Sequence, residues 1–215
     1  MNGNEATRTW QRMLGVTADG DFGPTTLAAS MALLPKPDRS QIGARPEPVT
    51  RLPWIAEGLT VFGLHEVRDN KALRAWMVGD GKTLGNPAVL PWCGDFAETC
   101  IKRALPDELF VGALNVNPYW ARNWVNFGKA CVPSLGCVVV FERGPSSAHV
   151  GFAMGQDATH LYVFGGNQGD SVSLVRVARS KLLASRWPLT WTGEPGPLPQ
   201  MTPQNIRDAS ADFLS

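Results

Sequence analysis

One cysteine of this 215-residue chain sits where nucleophilic chemistry is easy to arrange. In Leu90-Pro91-Trp92-Cys93-Gly94-Asp95-Phe96-Ala97 a proline-punctuated loop enters a segment whose apolar residues, Phe96, Ala97, Cys100, Ile101 and Ala104, recur at helical spacing. Cys93 therefore opens the inward-facing stripe of a helix expected to reach about Ala104. Unpaired N–H groups and the positive end of the dipole at a helix start favour the thiolate, the reactive form of the side chain. Asp95 and Glu98, in the opening turns, oppose that effect, and a buried structural thiol is the competing reading of the position. A thiol nucleophile needs a base within hydrogen-bond reach and a third group that holds the base in the correct tautomer. There are three histidines to choose from. His149, in Ser147-Ala148-His149-Val150-Gly151-Phe152, opens a strand, a rigid position from which it can face a helix packed across a sheet. His160 opens another strand after a turn, and His65 lies in the helical first half beside Glu66.

The elements that must hold these groups follow from periodicity and punctuation. Helices are expected over Trp54 to Leu64 and over Asn70 to Val78, followed by a loop from Gly79 to Pro91 and the Cys93 helix. An irregular stretch with Trp120, Trp124 and Phe127 comes next. After Gly136 the period becomes that of strands: Cys137 to Glu142, His149 to Met154, His160 to Gly165 and Ser171 to Val177, separated by Gly, Pro, Asn or Asp turns. Helices followed by an antiparallel meander make an α+β layout. Trp92, Trp120 and Trp124 flank the cysteine region and could line a cleft for an extended or sugar-bearing ligand, although most of the eight tryptophans should be core.

Composition narrows the function classes. With 44% hydrophobic and 18% charged residues the chain is of ordinary globular type. A formal charge of +1 offers no basic field, so nucleic acid is not implied as a partner. No apolar run approaches the roughly 20 residues needed to cross a bilayer, and no basic start precedes an apolar stretch, so membrane insertion and a signal peptide are not expected. The expectation is a monomer made in a cytoplasm, with release by a pore or by injection if its target lies outside. Cys93, Cys100, Cys131 and Cys137 have irregular spacing with no C-x-x-C pair, which disfavours a zinc knuckle. Reduced thiols are the default, with Cys131–Cys137 and Cys100–Cys131 as the conceivable bridges.

Residues 1–34 read as a small helical module, with Trp10, Met13 and Leu14 on one face, Gly15 as terminator and Pro24 opening a second helix from Thr25 to Leu33. Trp10-Gln11-Arg12-Met13-Leu14-Gly15 and Asp19-Gly20-Asp21-Phe22-Gly23-Pro24-Thr25-Thr26-Leu27-Ala28-Ala29 resemble about half of the peptidoglycan-binding domain found at the ends of many wall hydrolases. A piece so short is marginal as an independent fold and should pack on the rest of the chain. Residues 35–51 form a Pro-rich linker, 52–191 the main domain, and 192–215 a Pro-rich tail with a short amphipathic segment from Pro203 to Leu214.

Within the main domain, Pro91-Trp92-Cys93, Gly136-Cys137-Val138-Val139-Val140-Phe141-Glu142-Arg143, His149-Val150-Gly151-Phe152 and Gly165-Gly166-Asn167-Gln168 occur in that order. This series resembles the NlpC/P60 and CHAP group of papain-like cysteine peptidases and amidases, especially the branch common in bacteriophage lysis proteins. Gly63-Leu64-His65-Glu66-Val67 resembles a further segment of that branch. The resemblance implies Cys93 as nucleophile, His149 as general base and then acid, and Asn167 as the group that orients the imidazole; Gln168, Asp157 or Glu142 could reach the same nitrogen. It implies no metal or other cofactor, the backbone N–H of Cys93 as one oxyanion donor, and bacterial peptidoglycan as the partner, cut at a stem-peptide amide bond. Two positions depart from the family: Cys137 stands where an Asp is usual, and Gly94-Asp95 where small residues are usual. A zinc peptidase lacks clustered ligands here, a lysozyme-like glycosidase would want a largely helical body, and a non-catalytic wall-binding or phage structural component is the remaining alternative.

Overall fold

The computed structural model describes residues 3–20, 26, 29, 30 and 52–201. Most of the expected Thr25–Leu33 helix, the linker and the expected Pro203–Leu214 segment lie outside those residues. The architecture is mixed: helices α1 (Gly3–Leu14), α2 (Pro53–Leu59), α3 (Asn70–Met77), α4 (Cys93–Ala104) and α5 (Gly112–Val116) accompany one antiparallel sheet. Its strands are β1 (Lys129–Ala130), β2 (Val138–Glu142), β3 (Ala148–Gln156), β4 (His160–Gly165), β5 (Ser173–Ala178) and β6 (Leu182–Trp187), in the order β1-β6-β2-β3-β4-β5. The four expected strands are present as β2 to β5. β6 and β1 extend the meander past β2, because the chain returns after β5 and pairs Val139 with Ser185.

Nearly every residue of β2, β3 and β4 is buried, which is why these runs read as continuously apolar rather than alternating; β5 and β6, toward the outside, alternate. α4 packs on β3 and β4 through Phe96, whose ring meets Phe164 edge-on at 5.5 Å between centroids and lies 6.3 Å from Phe152. Burying such a ring contributes about 1.5–3 kcal/mol. α2 lies against α4, and Gly58 makes the approach possible: a Cβ there would stand 2.9 Å from Cys100 Sγ, Phe164 and Phe96. α2 stops at Leu59, five residues before its expected end. Beyond it, Gly63 takes a φ of 83° and residues 63 to 66 pair with 170 to 172 instead of continuing the helix.

The described part of the N-terminal segment packs on this core. Trp10 is buried, donates Nε1–H to Ser30 Oγ at 2.6 Å and stacks on Phe62, which stacks in turn on Phe164. Gln11 ties the turn together, donating to Asp19 and Thr26 and accepting from the Gly20 N–H. No helix among the described residues is long and apolar enough to cross a membrane.

Candidate active site

Cys93 is the first residue of α4, and no side chain caps the helix at Trp92. The first-turn N–H groups are thus left to the sulfur and to whatever binds beside it. Trp92 fixes the entry: its indole is buried and donates to Glu66 Oε2 at 2.7 Å. Gly94 is required by contact, since a Cβ would lie 2.3 Å from the Tyr119 carbonyl oxygen and 2.7 Å from that of Pro118. Asp95 turns toward the preceding loop, accepting from Thr83 Oγ1 at 2.9 Å and from the Leu84 N–H at 2.8 Å, and so anchors that loop to the helix.

His149 comes to the same place from β3. The bonds Ala153 N–H to Cys137 and Arg143 N–H to Ser147 make the odd-numbered residues of β3 those bonded to β2. The Val150 N–H therefore points to the other side, where β4 has already ended at Gly165. That N–H faces the Cys93 sulfur, so the start of α4 meets β3 one residue along from His149, at an opening in the sheet. Burial raises the Cys93 thiol pKa; the Val150 N–H, the Arg143 charge and the helix-start N–H groups pull it back. The wholly buried His149 is pushed down to about 3, by burial first and by Arg143 second. At neutral pH both groups rest uncharged, Cys93 as a thiol and His149 as an imidazole.

The side chain that bonds the imidazole is Gln168. Its Oε1 lies 3.0 Å from His149 Nε2, while its amide hydrogens go to the carbonyls of Ser173, at 2.6 Å, and Val163, at 3.3 Å. With both donors committed, the oxygen can only accept, so Nε2 carries the proton and Nδ1 the basic lone pair. Gly165 and Gly166 make the room: a Cβ at Gly165 would meet Gln168 Oε1 at 3.1 Å, and one at Gly166 would enter the Trp92 ring at 2.4 Å. The bond goes to Gln168, one of the alternatives, rather than to Asn167, the first expectation. Asn167 is a turn residue with φ of 56°, a left-handed conformation that asparagine tolerates, and the backbone there hands the inward direction to its neighbour. Asp157 is bound instead to Arg176, Tyr162 and the turn at the other end of β3, together with His160. Glu142 is exposed.

Cys93 lines a cleft of about 440 Å³. Its lining comes from three stretches of chain: Leu84, Leu90 and Pro91 before α4; Asn117, Tyr119, Trp120 and Ala121 after α5; and Arg143, Ser147 and Ala148 at the β2–β3 hairpin. Of the three tryptophans expected to bind substrate, only Trp120 lines it; its indole is 48% exposed and donates to Ser146 O at 3.2 Å. Trp92 and Trp124 are core residues, the latter donating to Pro118 O and packed among Phe110 and Phe127.

No family model, curated protein or solved structure matches this chain.

Two further features bear on the site. Cys137 accepts the Ser134 N–H at 3.3 Å and shares a hydrogen bond with Cys131; all four cysteines are free thiols. Among the described residues no group of three or more His, Cys, Asp or Glu side chains is placed to hold a metal ion.

Behind α4 lie buried carboxylates. Glu98 is pushed up to about 7 by burial and by Asp80 and Asp95, and Asp95 to about 6, chiefly by burial; one oxygen of each is buried without a hydrogen-bond partner. A carboxyl whose folded pKa exceeds its unfolded value favours the fold while protonated, and that contribution is lost as pH rises from about 4.5 to 7. His149 acts oppositely, losing stability as pH falls from 6.5 toward 3. Glu98→Gln should therefore raise Tm at pH 8 by about 2–4 °C, for about 1 kcal/mol of relief after screening, with the gain vanishing near pH 4.5. Thermal unfolding at the two pH values measures it; equal Tm values at pH 8 would refute the assignment.

Proposed function

We propose that this chain is a cysteine-dependent peptidoglycan hydrolase with a papain-like NlpC/P60–CHAP architecture, cleaving an amide bond of the stem peptide. The observation that carries the reading is the His149–Gln168 hydrogen bond one residue along β3 from the Val150 N–H that faces Cys93, with Cys93 at an uncapped helix start on an open cleft. The resemblance of the N-terminal segment to a wall-binding domain supports peptidoglycan as the partner.

The chemistry follows from the resting protonation. Because burial disfavours a thiolate–imidazolium pair before substrate arrives, the Cys93 proton passes to His149 Nδ1 as Sγ bonds the scissile carbonyl carbon. The oxyanion is received by the Cys93 N–H at the start of α4. Collapse of the tetrahedral intermediate breaks the C–N bond, and the imidazolium protonates the leaving amine. Water then gives a proton to His149 and hydroxide equivalent to the thioester, releasing the carboxylic acid and restoring the thiol. No step calls for a cofactor.

Cys93→Ala should abolish clearing of purified peptidoglycan, and mass spectrometry of the muropeptides released by the unaltered protein should show one new amine and one new carboxyl per cleavage. Clearing by Cys93→Ala at the unaltered rate would sink the mechanism. No clearing by the unaltered protein would favour a wall-binding or structural role.

A further inference from the structure

The cleft beside Cys93 is apolar along Leu84, Leu90, Pro91 and Ala121, and Arg143 is the one charged side chain among the described residues that line it. We propose that Arg143 selects substrates with a carboxylate next to the cleaved bond, its guanidinium holding that group while Cys93 attacks the neighbouring carbonyl. This rests on Cys93 being the nucleophile.

Three observations carry it. The position of Arg143 is fixed, because its N–H bonds Ser147 O at 3.1 Å and closes the β2–β3 hairpin two residues before His149. It is half-buried, so a carboxylate meeting it there is partly out of water, where the planar fork of donors is most effective. The other polar groups of the cleft are neutral and can donate: Asn117, Ser147 and Tyr119, whose phenol is pushed up to about 12 by burial and by Glu98, Asp95 and Asp80 behind it. The acids Asp95 and Glu98 belong to α4 and are buried, and neither lines the cleft.

The selection would also bear on catalysis. Gln168 from the β4–β5 turn and Arg143 from the hairpin both act on the imidazole, and the Arg143 charge disfavours imidazolium. A bound carboxylate cancels that charge, so the right substrate makes His149 a better acceptor for the Cys93 proton. A neutral analogue would occupy the cleft without that help.

Alkylation of Cys93 separates charge selection from any assumption about the natural substrate. The full chain is treated with iodoacetate or with iodoacetamide; in each, Sγ displaces iodide, and the thiol proton is lost. Peptide mass spectrometry follows Cys93, with Cys131 as internal control. The iodoacetate-to-iodoacetamide rate ratio at Cys93 is expected to exceed that of free cysteine by about tenfold. It should fall to the free-cysteine value in Arg143→Gln and be partly kept in Arg143→Lys, with the Cys131 ratio unchanged in all three. Equal Cys93 ratios in the unaltered protein and Arg143→Gln overturn the role of Arg143 and leave the nucleophile standing. A Cys93 that reacts with neither reagent overturns both.

Discussion

Replacing Gln168 with alanine is expected to lower kcat on peptidoglycan fragments by about 10²-fold with little change in KM, whereas Asn167→Gly should leave both within about twofold. The asymmetry comes from hydrogen bonds. Gln168 spends both amide hydrogens on Ser173 and Val163, so its oxygen holds the proton on His149 Nε2 and leaves Nδ1 as the base. Without it the imidazole is free to take the other tautomer or to rotate, and the thiol loses its acceptor. Asn167 contributes a left-handed backbone, which glycine supplies at least as well. Steady-state kinetics of both variants decide the matter. An Asn167→Gly defect as large as that of Gln168→Ala would restore Asn167 as the orienting group.

Gly94→Ala is the second large effect. The added Cβ would stand 2.3 Å from the Tyr119 oxygen and 2.6 Å from its carbonyl carbon, so backbone must move and no flexible side chain can yield. Overpacking of this kind costs about 3 kcal/mol, which for a chain of this size lowers Tm by about 6–12 °C. The displaced segment begins with the Cys93 N–H, so whatever folds should also lose activity beyond the loss of folded protein. Circular dichroism melts beside active-site titration separate the two losses. A Tm within 2 °C of the unaltered protein, a difference below about 1 kcal/mol, would show that the α4–Tyr119 approach is looser than described.

The helix that Cys93 opens was legible almost to the residue, because Pro91 stops the loop and Phe96, Ala97, Cys100 and Ile101 mark its buried face. The strands of His149 and its neighbours were legible as apolar runs bounded by turn residues. β6 was not, since Leu182–Trp187 is only partly buried and carries Arg186 and Ser185 among its apolar residues. β1 is two residues long and has no period at all. The choice between Asn167 and Gln168 turns on a left-handed residue in a turn, where neither a 3.6 nor a 2.0 repeat exists to say which side chain faces inward. Tryptophan content could not separate cleft from core either. What places Trp92 is Glu66, twenty-six residues earlier in the chain, and what places Trp124 is a carbonyl of Pro118. Nothing in the strand pattern told that Cys137 ties down a turn, which its contact with Ser134 does.

The pairing of residues 63 to 66 with 170 to 172 has a consequence for how the protein comes into being. It joins chain segments more than a hundred residues apart, and both halves of the candidate site depend on it: Glu66 fixes the entry to α4, and the turn that follows β4 delivers Gln168. Contacts so distant in sequence close late, because the entropy of the intervening loop must be overcome first. A nascent or partly folded chain therefore carries the thiol and the imidazole without the arrangement that the proposed catalysis needs. Activity during refolding should lag behind helix formation and appear only with the final docking of helices and sheet.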